Sequence, residues 1–112
     1  MVKKYVPDQG DIVWLDFNPQ LGHEQRGRRP ALTLSFREYN EKIGLAVFCP
    51  ITSKVKGYPF EVEVIGKQIN GCVLSDQIKS LDWTVRNIEF IEKIDNEKLD
   101  DVINTILVII KK

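Results

Sequence analysis

The chain has 112 residues, of which 43% are hydrophobic and 29% charged, and its 16 basic and 16 acidic residues cancel. That length predicts one domain, residues 1–112, with apolar surface enough for a core that needs no disulfide. Zero net charge excludes a globally basic nucleic-acid binder, but residues 1–60 carry nine Lys/Arg against six Asp/Glu and residues 61–112 seven against ten, an asymmetry that can support one basic face.

The opening MVKKYVPDQG lacks the apolar stretch of a signal peptide, and ILVII (106–110) is far too short to span a bilayer. The expected setting is cytoplasmic, with no membrane contact. Cys49 and Cys72 lack CxxC spacing and sit in apolar segments, so they read as small buried hydrophobes. With a single histidine, His23, and no paired ligand spacing, neither a metal nor a cofactor is expected.

DIVWLDF (11–17) alternates as a strand does, with Ile12, Trp14 and Asp16 on one side and Val13, Leu15 and Phe17 on the other. A polar loop, GHEQRGRRP (22–30), leads into a second strand, ALTLSF (31–36). LAVFC (45–49) follows a turn closed by Gly44 and is expected to stop at Pro50. A second polar loop, TSKVKGY, precedes FEVEVI (60–65), whose alternation points Phe60, Val62 and Val64 inward and both glutamates outward. GKQING (66–71) reads as a hairpin connection, followed by short strands near CVLSD (72–76) and EFIEKI (89–94). Leu99, Val102, Ile103, Ile106, Leu107 and Ile110 then recur at helical spacing. Asp95 is the expected N-cap, Ile94 and Leu99 the expected hydrophobic staple, and Lys111 and Lys112 suit the helix C-terminus. Val108 and Ile109 fall off that stripe; they are either a second buried contact, such as a subunit interface, or isolated surface aliphatics. The fold class is mainly β (α+β): a small, strongly bent antiparallel sheet or barrel with a C-terminal amphipathic helix.

The two polar loops carry the candidate chemistry. One offers Glu24, Gln25, Arg26, Arg28 and Arg29, the other Thr52, Ser53, Lys54 and Lys56. If they converge at one sheet edge they form a cleft of cationic and hydroxyl donors, and arginine grips phosphate through a planar fork. Tyr58 and Trp83 are candidates for stacking on unpaired bases, with core packing as the alternative for each. There is no GxxxxGK[ST] loop, and one histidine precludes both a Ser/His/Asp set and a two-histidine ribonuclease within the chain. RNA scission by the ribose 2′-hydroxyl needs a proton acceptor, a proton donor and a cation; Glu24 is the candidate acceptor, with Arg29 and Thr52 stabilising the phosphorane and leaving group.

The stretches YVPDQGDIVWLDFNP, GHEQRGRRPALTLS, ITSKVKGYPFEV and GCVLSDQIKSLDW, in this order and spacing, resemble the MazF and PemK toxins along nearly the whole chain. The resemblance implies a CcdB/PemK-type, SH3-like barrel and a sequence-specific, ribosome-independent endoribonuclease that cleaves single-stranded RNA and mRNA. It also implies a homodimer and a cognate MazE-like antitoxin with an acidic, disordered tail. The family's catalytic arginine falls on Arg29, its catalytic threonine on Thr52 and its loop glutamate on Glu24; Lys56, Asp76 and Gln77 match positions lining the RNA groove. Gln25, Arg26, Arg28, Ser53, Lys54 and Tyr58 complete the expected RNA-binding set. Two other classes share the fold: a CcdB-like toxin that binds gyrase without cutting, and a non-catalytic SH3-like RNA-binding module. The Arg29/Thr52 pair in its two-loop setting favours the nuclease.

Overall fold

The computed structural model describes residues 4–17 and 27–111. Its strands are β1 (Asp11–Asp16), β2 (Arg28–Thr33), β3 (Ala46–Thr52), β4 (Glu61–Ile65), β5 (Asn70–Leu74), β6 (Lys79–Leu81) and β7 (Glu89–Lys93). A short helix, α1 (Arg37–Ile43), joins β2 to β3, and α2 (Asn96–Ile110) closes the chain. All pairings are antiparallel, in the order β4-β5-β3-β2-β1-β7, with β6 added against β3.

The bend of the sheet comes from β3, which changes partner midway. Ala46, Val47 and Phe48 pair with β6, whereas Ile51 and Thr52 pair with β5. Pro50 lies between the two partners, so the strand runs through the proline instead of stopping there. A residue without an N–H is tolerated where a ladder is handed from one strand to another. The result is a half-barrel with a core on each face.

β1 contributes to both cores, as its alternation requires. Ile12 joins Leu32, Cys49, Val73 and the α2 residues Leu99, Val102 and Ile106 in one cluster. Val13 and Leu15 join Ala31, Phe48 and Trp83 in the other. Each fully buried aliphatic side chain contributes about 1.5–3 kcal/mol relative to exposure, so the two-faced burial of β1 makes it the central stave. β2 begins at Arg28, three residues earlier than its apolar pattern, because register with β1 sets Leu15 opposite Arg29 and Asp16 opposite Arg28.

Two elements have no counterpart in the sequence reading. α1 has seven residues, too few to show a period or to be stable alone. Tertiary bonds hold it: Asp8 Oδ1 accepts from the Arg37 N–H (3.0 Å), and buried Asn40 donates to the Pro7 carbonyl (2.7 Å). Gly44, with φ of 80°, closes it in the left-handed cap position. β6 has three residues and forms only because β3 offers it a free edge. Trp83 is buried, and its indole N–H donates to the Asn40 carbonyl (3.1 Å). It is core, the second of the two readings its sequence context offered, and not a base-stacking residue.

α2 starts after Asp95, as expected, although the Asp95 side chain makes no capping bond. Ile94 and Leu99 lie in one cluster. The helical stripe is shorter than its pattern: Leu107 and Ile110 are exposed together with Val108 and Ile109. A 15-residue helix is about 22 Å long and outruns strands of five or six residues.

Candidate active site

Strand register assembles the site. Ala31 of β2 stands opposite Pro50 of β3, the last paired residues toward this end, and Arg29 and Thr52 each lie two residues beyond them on the same two strands. β5 then flanks β3 on its other side, with Cys72 opposite Thr52. Gly71 makes this approach possible, since a Cβ there would collide with the Thr52 backbone carbonyl. The ends of β2 and β3 and the β4–β5 turn therefore meet at one place.

They enclose a cleft of about 460 Å³, lined by Trp14, Arg29, Pro30 and the run Ile51–Lys54 on one side and by Gln68, Ile69 and Asn70 on the other. A second cleft of about 270 Å³ shares Thr52 and Lys54 and continues to Lys56, Tyr58, Asp76 and Gln77. Because they meet at Thr52, the two form one groove with two lobes. Arg29, Lys54 and Lys56 give it cationic character, and Asp76 and Glu61 are the acids along it.

The local bonding prepares several groups. Thr52 Oγ1 accepts from the Lys54 N–H at 3.1 Å, which occupies a lone pair and leaves the hydroxyl proton to donate into the cleft. Glu61 accepts from the Lys56 and Gly57 backbone N–H groups at 3.1 and 2.9 Å, so it organises the second loop and is half-buried, unlike its exposed neighbour Glu63. Gly57 itself has φ of 79°, a conformation that favours glycine. Cys49 lies beneath this wall; burial, reinforced by the charge of Asp76, pushes its thiol up to about 12. Burial likewise raises Cys72. Both cysteines are packing residues.

Of the residues singled out in the sequence, Arg29, Thr52, Ser53 and Lys54 meet in the first lobe, and Lys56, Tyr58, Asp76 and Gln77 line the second. His23, Glu24, Gln25 and Arg26 lie outside the described residues. Arg28 does not line either lobe. Its guanidinium donates to the Asn87 carbonyl (2.8 Å), Glu89 (3.0 Å) and Asp16 (3.4 Å), tying β2 to β1 and β7. Arg28 was expected as an RNA contact; its bonding here is structural, since Asp16 is its register partner. Trp14, Gln68, Ile69 and Asn70 were not foreseen. Two amides in a hairpin turn were the only signal for them, and nothing local places that turn beside Thr52.

Residues 8–110 match the family model described as PemK-like, MazF-like toxin of type II toxin-antitoxin system. The chain belongs to this family. It is 50% identical over 86 residues to the endoribonuclease toxin MazF of Escherichia coli strain K12, covering 77% of this chain and 78% of that protein. Among solved structures, MazF (Form-I) from Deinococcus radiodurans superposes with a TM-score of 0.87 at 45% identity, covering 97% of this chain and all of the other. The MazE-MazF complex (Form-II) from the same organism matches with a TM-score of 0.86 at 40% identity, covering 96% and 98%. The half-barrel with its C-terminal helix is thus the fold of the MazF structures.

Proposed function

We propose that this chain is the endoribonuclease toxin of a type II toxin–antitoxin pair and that the two-lobed groove cuts single-stranded RNA, mRNA included. The observation that carries the reading is that Arg29 and Thr52 line one cleft open to solvent, continuous through Thr52 and Lys54 with a second lobe that adds Lys56. A phosphate seated there would meet a guanidinium fork and a hydroxyl donor together.

In this mechanism the 2′-oxygen of the scissile ribose attacks phosphorus as its proton leaves to an acceptor, Glu24 or a bound water. Arg29 neutralises the extra negative charge of the phosphorane, and the Thr52 hydroxyl donates to one of its oxygens. The P–O5′ bond then breaks and the 5′-oxygen takes a proton. The ends are a 2′,3′-cyclic phosphate and a 5′-hydroxyl. A guanidinium stays protonated and is a poor base, so Arg29 serves as electrostatic stabiliser, and the proton taken by the 5′-oxygen comes from it or from a bound water. Every role is filled by a side chain or water. Among the described residues no group of three His, Cys, Asp or Glu is placed to hold a metal.

Single-stranded RNA would extend into the second lobe over Lys54, Lys56, Tyr58, Asp76 and Gln77, with Ser53 at the junction and Gln25 and Arg26 reaching from the preceding loop. Inhibition follows if an acidic, disordered antitoxin tail folds across the same cationic groove and competes with RNA; MazE-MazF complexes among the structural relatives support such a partner. The exposed aliphatic end of α2, with Val108 80% exposed, supports a homodimer. The toxin would act in the cytoplasm as one domain over residues 1–112; among the described residues no helix is long and apolar enough to cross a membrane.

The test is end-group analysis on a long defined RNA. Cutting should persist in chelator, leave cyclic phosphate and 5′-hydroxyl ends, and stop on an oligonucleotide carrying 2′-deoxy at the scissile nucleotide. Strict divalent-ion dependence or cleavage of the deoxy substrate would overturn the mechanism.

A further inference from the structure

The β4–β5 turn supplies one wall of the first lobe, yet its own bonding comes from outside the lobe. Glu92 of β7 directs its carboxylate into the turn and accepts three consecutive backbone N–H groups: Lys67 at 3.0 Å, Gln68 at 2.8 Å and Ile69 at 2.9 Å. Burial acts to raise the Glu92 carboxyl, but these three donors outweigh it and hold it below the usual glutamate range. Such a ring of N–H groups is an anion nest, filled here by the chain's own side chain. Gly66 makes room for it: a Cβ at that position would lie 2.6 Å from Glu92 Oε2. The Gly66 N–H closes the turn on the Ile69 carbonyl at 2.8 Å.

A second bond orients the side chain that faces the groove. Gln68 Nε2 donates to the Ile91 carbonyl, next to Glu92, at 3.1 Å. A carbonyl acceptor leaves only one sensible amide orientation, so Oε1 is the end left to accept from a ligand. Gln68 lines the same lobe as Asn70, Arg29 and Thr52. Without the carboxylate, three adjacent N–H groups lose their partner, and the turn keeps only the Gln68 side-chain bond to Ile91 as its hydrogen bond to β7.

We infer that Glu92 is a positioning residue for RNA cleavage, fixing the Gln68–Asn70 wall so that a nucleotide beside the scissile phosphate is held in register with Arg29 and Thr52. The inference rests on the reading of this groove as the RNA site. Glu92 touches no RNA. Its effect is on substrate placement, so it appears in KM and in the choice of cut sites, and leaves the bond-making step at saturation largely intact.

The experiment uses the full-length toxin, a defined single-stranded oligoribonucleotide and a long RNA for cut-site mapping. Glu92→Ala should raise KM roughly tenfold, keep kcat within about twofold, and relax cut-site selection. Amide exchange at residues 67–69 should accelerate in the same variant. Glu92→Gln, which keeps one acceptor oxygen and the side chain's length, should recover part of the lost KM and is the variant to use if alanine impairs folding. A Gln68→Ala variant should reproduce the relaxed cut-site choice without loosening the turn amides. If either Glu92 variant shows faster exchange but the parental KM and cut sites, the turn is merely structural and the inference fails. If exchange is unchanged, Glu92 does not hold the turn, and it fails as well. If the parent cuts no RNA, the groove reading itself falls first, an outcome distinguishable from both.

Discussion

Gly71→Ala isolates the contact on which Thr52 depends. The left-handed backbone values among the described glycines belong to Gly10, Gly44 and Gly57, so alanine at 71 brings no backbone strain of that kind and acts through its methyl group. That carbon would lie 3.0 Å from the Thr52 carbonyl carbon and 3.4 Å from Ile51 Cγ2, and closer still to the Thr52 oxygen. Carbon contacts are optimal at about 3.5–4.0 Å, so β5 and the end of β3 must separate by roughly 0.5–1 Å. Overpacking of this kind costs about 1–3 kcal/mol, which for a domain of this size lowers Tm by roughly 5–15 °C. A misplacement near 1 Å at a reacting group can cost on the order of 10²-fold in rate. The expected result is a Tm drop of that size with a single-turnover rate at saturating RNA reduced roughly 10- to 100-fold at a temperature where the variant is fully folded. Calorimetry and single-turnover cleavage measure the two separately. Parental Tm and parental rate together would show that β5 yields without moving Thr52, and the register argument for the site would be refuted.

Arg29→Lys keeps the charge but loses the bidentate fork, so turnover should fall roughly 10²-fold or more with RNA affinity mostly retained; parental single-turnover rates would remove Arg29 from the chemistry. Arg28→Ala should behave in the opposite way. Its ion pairs are partly solvated, with Glu89 69% exposed, so the loss is discounted to about 1–2 kcal/mol, mostly from the bond to the Asn87 carbonyl; urea melts should show it while the rate at saturating RNA stays within about twofold. The cysteines give a pH test. With Cys49 pushed up to about 12, its thiolate fraction at pH 8 is on the order of 10⁻⁴, so a thiol reagent should leave the native protein unmodified and label both cysteines once urea unfolds it. Labelling of Cys49 in the native state at pH 8 would contradict the burial described here.

Local pattern was sufficient for the strands whose two faces differ. The alternation in 60–65 and the helical period of 99–106 are readable because burial falls on every second or every third and fourth residue; β1 is legible only as an apolar strand, since both of its faces are buried. Arg29 and Thr52 were singled out as well, from the composition of their two loops and the family resemblance, although the sequence ends the strand before Thr52 at Pro50. What only the tertiary structure decided are the relations between distant segments. Pro50 reads as a stop from one side, but two partner strands share β3 and carry it onward. Arg28 and Arg29 are equivalent in a sequence; pairing with Asp16 and Glu89 spends one, while the other lines the cleft. Trp83 could be read as core or as a stacking residue, and it is core because Asn40, 43 residues away, takes its indole N–H. α1 and β6 are too short to carry a period and exist through contacts made elsewhere. Glu92 is one more acidic residue on an alternating strand until the fold sets it beneath a turn 23 to 25 residues away. Hydrophobic periodicity encodes which face a residue is on, and it holds no information about which other strand that face will meet.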